Sequence, residues 1–214
     1  MNTSVKAIMK KGIGTWALAA VLTLGMTTAA WAQDAKDALN IVKEQVSVVL
    51  ADLKANKSRY ESNPAALNDM IDSKMVQYFD TETMARLVLG KHWKNASKDQ
   101  QKTFLKEFKQ LIMRTYSKSL LDYTNATVTY DKTLPVKKNR TKISATINNS
   151  DGKSYPLKLS MAYRNGQWKG YDVSVDGLSV ITSYRSSIGE EVSKKGLQTV
   201  IDEIKELNRQ GKTK

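Results

Sequence analysis

The stretch Tyr155-Pro156-Leu157-Lys158-Leu159-Ser160-Met161-Ala162-Tyr163, followed one residue later by Asn165-Gly166, decides the fold class. Its apolar and aromatic residues fall on every second position, the period of a strand with one buried face. Asn-Gly is a type I′ hairpin signal, so the chain turns back into a second strand bearing Trp168, Tyr171, Val173 and Val175. Trp168 is out of phase with the other three and Gly170 lies between, which predicts a bulge that resets the alternation. Upstream, Val128 and Tyr130 mark one strand and Ile143, Ala145 and Ile147 another, the latter ending at the turn Asn149-Ser150-Asp151-Gly152.

Before this region the period is that of helices. Leu39, Val42, Val46, Val49, Leu50 and Leu53 recur at three-and-four spacing between Asp34 and Lys54. Asn63-Pro64 opens a second helix through Leu67, Met70, Ile71, Met75 and Tyr78. Asp80 caps a short third, Thr81 to Leu89, which Gly90 ends. Ser97-Lys98-Asp99-Gln100 is a capping box for a long helix reaching about Asp122, with Phe104, Phe108, Leu111, Ile112, Met113, Tyr116, Leu120 and Tyr123 on its apolar side. Helical period returns from Ser179, with Leu197, Val200, Ile201, Ile204 and Leu207 on one side. The pattern predicts an α+β fold: a twisted antiparallel four-stranded sheet wrapped by N-terminal and C-terminal helices. Its parts are a helical half over 34–123, a sheet over 125–176 and C-terminal helices over 179–208.

The amino terminus predicts export. Lys6, Lys10 and Lys11 precede an apolar run, and Ala30-Trp31-Ala32 fits a small-x-small cleavage site. Residues 1–32 are thus expected to be a cleavable signal peptide, with residues 33–214 forming a single domain outside the cytoplasm. An uncleaved anchor is the alternative, since no charge interrupts Gly12 to Gln33.

The 214 residues carry 34 Lys plus Arg against 21 Asp plus Glu, a net charge of +13, which favours anionic partners; the exported location argues against nucleic acid. The absence of Cys excludes thiol nucleophiles, disulfides and Cys-ligated metals, and a single His, His92, excludes multi-histidine metal sites. No Gly-x-Ser-x-Gly, His-Glu-x-x-His, Walker loop or Gly-x-Gly-x-x-Gly occurs. His92 sits among Lys91, Trp93 and Lys94 after a helix stop, which reads as a surface loop. Asp172 stands in an apolar strand; alternation points it away from the apolar face, toward an Arg or Lys partner. No catalytic residue, cofactor or metal ligand is expected. Lys98, Lys102, Lys106 and Lys109 line one side of the long helix, and Lys137, Lys138, Arg140 and Lys142 form a basic turn between the first two strands. Both clusters suit either solubility or steering toward an acidic partner or anionic lipid.

Tyr155, Leu157, Leu159 and Met161 on one strand and Tyr171, Val173 and Val175 on the next share a face opposite Met113, Tyr116 and Leu120. Periodicity alone leaves open a filled interior or an apolar pocket between sheet and helices. Here a resemblance enters. Tyr78-Phe79-Asp80, Met84-Ala85-Arg86, Leu87-Val88-Leu89-Gly90 and Trp93-Lys94 resemble the helical half of the MlaC, or toluene-tolerance, family. Gly166-Gln167-Trp168, Tyr171-Asp172-Val173, Gly177-Leu178-Ser179 and Ser183-Tyr184-Arg185 resemble its late block. Ser183 and Ile188 depart from the family's usual Asn and aromatic.

The resemblance implies a periplasmic, non-catalytic carrier of phospholipid. It would shuttle between an outer-membrane lipoprotein–porin complex and an inner-membrane ABC transporter with a membrane-anchored substrate-binding subunit. It also implies that acyl chains enter between sheet and helices, with Tyr116, Leu157 and Leu178 matching tail-pocket positions. Strand alternation adds Leu159, Met161, Tyr171 and Val173, and the helix face adds Met113 and Leu120. The rival readings are a cavity hydrolase or isomerase using Asp172, Tyr171 or His92, and a pocketless adaptor between proteins.

Overall fold

The computed structural model describes residues 26–131, 134–137 and 139–210. The expected leader lies outside the described residues up to 25, and the backbone is already helical from Met26. Helix α1 (Met26–Ala55) is followed by α2 (Lys57–Ser62), α3 (Pro64–Lys74), a 3₁₀ turn (Val76–Tyr78), α4 (Thr81–Leu89) and α5 (Lys91–Asn95). Helix α6 (Lys98–Tyr116) passes into a second 3₁₀ segment (Lys118–Tyr123). The sheet comprises β1 (Thr127–Tyr130), β2 (Leu134–Lys137), β3 (Arg140–Asn148), β4 (Ser154–Arg164), β5 (Gln167–Val175) and β6 (Leu178–Ser179), before α7 (Val180–Lys195) and α8 (Leu197–Gln210).

The helix boundaries follow their caps. The side chains of Asn63 and Asp80 accept from the backbone N–H of Ala66 and Thr83, and Ser97 with Gln100 completes a reciprocal capping box. The C-terminal helices expected over 179–208 are α7 and α8, divided at Gly196 (φ +82°). The long helix stops at Tyr116 and tightens to 3₁₀ rather than continuing to Asp122.

All strand pairs are antiparallel, in the order β1-β3-β4-β5-β6, with β2 also paired to β3. Among the described residues six strands replace the four expected. β2 occupies part of what the sequence suggested was a basic turn, so Lys137 lies on β2 and Arg140 and Lys142 on β3, while Lys138 lies outside the described residues. β6 follows from Asp176-Gly177, both at positive φ, a second two-residue hairpin. Asn165 and Gly166 take positive φ between Arg164 and Gln167, as a type I′ turn requires. The expected bulge is present: the register shifts between Ser160 and Met161, where Tyr171 is the extra residue of β5. Trp168 thereby regains the apolar face and packs with Met161 and Ile143.

Among the described residues, buried apolar side chains form three clusters. One unites α4, α6, α7 and α8 around Phe104, Phe108, Val88, Ile188 and Ile201. A second joins Val49 and Leu53 of α1 to Tyr60, Leu67, Met70 and Ile71. In the third, Ala38 and Val42 near the start of α1 lie on Ile143, Met161 and Trp168 of the sheet. A single helix therefore covers the sheet with one end and anchors α2 and α3 with the other.

Candidate functional site

The register defines the apolar sheet face residue by residue, because directly paired residues point the same way. Leu157 stands between Ala145 and Val175, Leu159 between Ile143 and Val173, Tyr155 opposite Ile147, and Leu178 opposite Val175. This one face is covered unevenly. At the end under α1, Ile143 is 0% and Met161 1% exposed. Toward the other end Leu157, Tyr155 and Val173 are half-buried, Val175 is 37% exposed and Leu178 is 73% exposed. Among the described residues, Ile147, Tyr155, Leu157, Val173, Val175 and Leu178 join none of the three packed clusters. The result is an apolar sheet face that is packed at one end and only partly covered at the other.

Aromatic pairs tie the helices to one another and to the sheet. Tyr123, from the 3₁₀ segment after α6, meets Tyr155 edge to face at 6.0 Å between ring centroids, and Tyr184 of α7 meets Phe108 likewise at 5.4 Å. The phenols of Tyr116 and Tyr123 are pushed above the usual range by burial, with the neighbouring Tyr184 and Tyr155 phenols acting in the same direction. They stay neutral at physiological pH and add no charge.

The sequence candidates separate on this map. Leu157, Leu159, Val173 and Leu178 lie together along the partly covered face, with Leu159 at its boundary with the sealed end. Tyr116 is 43% exposed at the end of α6. Met161 belongs to the sealed cluster beneath α1. Tyr171 packs against the helical cluster with the Arg140 guanidinium 5.9 Å from its ring centroid. Met113 and Leu120 pack against the α1–α3 cluster. Ile147 joins this face through its pairing with Tyr155, and Tyr123 packs on the same tyrosine; neither is apparent there from the sequence. Val175, by contrast, is already placed on this face by alternation.

The polar candidates are engaged elsewhere. Asp172 does turn from the apolar face, as Ser160 opposite it does, but its partner is not a cation. Its carboxylate accepts from Ser179 Oγ at 2.8 Å and from the Ile181 backbone N–H at 3.2 Å, at the N-terminus of α7. His92 lies in α5 rather than a loop, with Nε2 3.4 Å from Ser193 Oγ. No cluster of three or more His, Asp or Glu suited to a metal occurs among the described residues, and no described helix is long and apolar enough to cross a membrane.

The architecture defines a class: α+β proteins in which an antiparallel sheet presents a half-covered apolar face to a surrounding helical layer. A profile of the MlaC protein family matches residues 43–206, and the chain belongs to that family. It is 26% identical to the toluene tolerance protein ttg2D of Pseudomonas putida, across 73% of this chain and 74% of that one. It is 25% identical to the intermembrane phospholipid transport system binding protein MlaC of Haemophilus influenzae, across 78% and 79% of the two chains. A solved structure of the phospholipid-binding protein from Ralstonia solanacearum, in complex with a phospholipid, superposes with a TM-score of 0.73 at 26% identity, over 79% of this chain and 96% of that one.

Proposed function

We propose that this protein is a periplasmic, non-catalytic phospholipid carrier that holds acyl chains in a cleft between the partly covered sheet face and the surrounding helices. The observation that carries the reading is the row Leu157, Val173, Val175 and Leu178, an apolar face continuous with a packed one but left without a cover of its own. The family relationship and the phospholipid in the Ralstonia structure support the same occupant. Leu157, Leu159, Val173, Leu178 and Tyr116 contact the chains directly; Met113, Leu120, Met161 and Tyr171 bound the space through their neighbours.

The energetics suit a carrier. Two acyl chains expose on the order of thirty methylenes, at about 0.8 kcal/mol each, so a bare lipid in water lies on the order of 25 kcal/mol uphill. A cleft as apolar as a bilayer makes transfer nearly isoenergetic, and direction then comes from the donor and acceptor complexes. Those are an outer-membrane lipoprotein–porin complex and an inner-membrane ABC transporter with its membrane-anchored binding subunit. Residues 1–32 serve as the export signal, cleaved after Ala32, and residues 33–214 work as one domain. The basic face of α6 steers docking, apart from Lys109, which is paired with Asp72 at 2.6 Å.

Native mass spectrometry of the protein purified from cells tests the reading. Adducts with the mass of a phospholipid are expected. A folded preparation that shows only the bare chain, and takes up no lipid from vesicles, overturns it.

A further inference from the structure

Four buried side-chain polar atoms of the described residues have no hydrogen-bond partner in the protein: Asn68 Oδ1, Arg114 Nε, Arg114 Nη2 and Asn208 Oδ1. All three residues line one cavity of about 270 Å³ between α3, α6 and α8, with Gln110 and Met113 completing its wall. Unsatisfied buried groups are rare and costly, and their convergence on a single space points to an occupant.

The atoms also specify its chemistry. Arg114 is fixed by its Nη1, which donates to the Leu207 carbonyl, and the remaining Nε–Nη2 edge is the fork that grips two oxygens of one oxyanion. Asn208 cannot be turned round, because its Nδ2 donates to the Glu107 carbonyl at 3.0 Å and to Glu107 Oε2 at 2.8 Å. Its Oδ1 therefore faces the cavity as an acceptor and needs a donor. A cation is disfavoured by the guanidinium, and an apolar group would leave all four atoms unpaired. The Glu107 carboxylate, 4% exposed behind Asn208, disfavours a second negative charge. We propose that this cavity binds a small, singly charged oxyanion that carries its own hydrogen-bond donor, the chemistry of dihydrogen phosphate or of a singly protonated phosphate ester bearing a hydroxyl.

Such a group could arrive free or as the headgroup of a bound lipid, and the test separates the two. Sodium phosphate and glycerol 3-phosphate are titrated calorimetrically into the full chain, once stripped of lipid and once loaded from phospholipid vesicles. Saturable binding is expected, weakened about tenfold or more in Arg114→Lys, which keeps the charge but loses the fork, and in Asn68→Leu, which loses an acceptor and breaks no hydrogen bond within the protein. Both variants are checked for folding by circular dichroism. Binding that survives lipid loading identifies a free anion site, and binding lost on loading identifies a headgroup site. Absence of binding by the stripped wild type, or equal binding by the folded variants, overturns the proposal and leaves ordered water as the occupant. The stripped-protein arm holds whether or not the cleft carries lipid, so the two readings fail separately.

Discussion

Asp172 and Ser179 form one capping unit across the β5–β6 hairpin. The Ser179 hydroxyl donates to the Asp172 carboxylate at 2.8 Å and accepts from the Thr182 backbone N–H at 3.0 Å, while Asp172 takes the Ile181 N–H. A carboxylate in an apolar strand is thereby employed at a helix start. Asp172→Ala is expected to lower unfolding stability by about 1–2 kcal/mol in denaturant titrations, whereas Asp172→Asn, which keeps an acceptor, costs less. Lipid content of the folded variants should match wild type; loss of lipid with the fold intact would place Asp172 in the cleft's function instead.

The cleft makes a sharper prediction. Leu157 is half-buried and joins no packed cluster, so Leu157→Glu leaves the three clusters intact while placing a charge in an apolar slot. Phospholipid adducts should vanish from native mass spectra with circular dichroism unchanged, and Val173→Glu should behave alike. The same change at Met161, 1% exposed under α1, should unfold the protein. Lipid retained in folded Leu157→Glu would exclude this residue from the slot.

Gly170 is where the chain after α3 meets the sheet. Its carbonyl accepts from the Asp80 N–H at 2.8 Å, and a Cβ there would stand 3.0 Å from Phe79 Cε1 and 3.1 Å from Leu159 Cδ1. Gly170→Ala is expected to cost about 1–3 kcal/mol, read as a lower denaturation midpoint, because the backbone bond prevents the Phe79 strap from backing away.

The junction of α1, α2 and α3 sets a pH dependence. Burial would raise the Asp52 carboxyl, but hydrogen bonds from Lys74, Tyr60 and Asn56 outweigh it and hold the group below its ordinary 3.8. Its contribution is therefore present above about pH 4 and is lost as pH falls through the depressed value. Burial, followed by the bond to Asp52 and that residue's charge, pushes the Tyr60 phenol up to about 12. That contribution is complete below pH 10 and is lost as pH rises through about 12. Tyrosinate absorbance should show one phenol titrating near pH 12, absent in Tyr60→Phe; an unchanged titration curve in that variant would refute the assignment.

Local chemistry was legible in the chain itself. Asn63, Asp80 and Ser97 specify helix starts within a turn of their own position, Asn165-Gly166 specifies a hairpin, and the phase slip between Trp168 and Tyr171 specifies a bulge, because each depends on a few consecutive residues. The Asp176-Gly177 signal for β6 was equally local. What period two could not reveal is which alternating residues are covered. Met161 and Leu157 obey the same rule four residues apart on β4, yet one is sealed and the other left half-open, because α1, more than a hundred residues earlier, lies across only one end of the sheet. Local patterning accounts for the caps, the main helices, four of the six described strands and their apolar face. Only tertiary packing decided where that face is filled and where it stays open, and brought Asn68, Arg114 and Asn208 to one cavity, since burial is set by long-range contacts that no local pattern encodes.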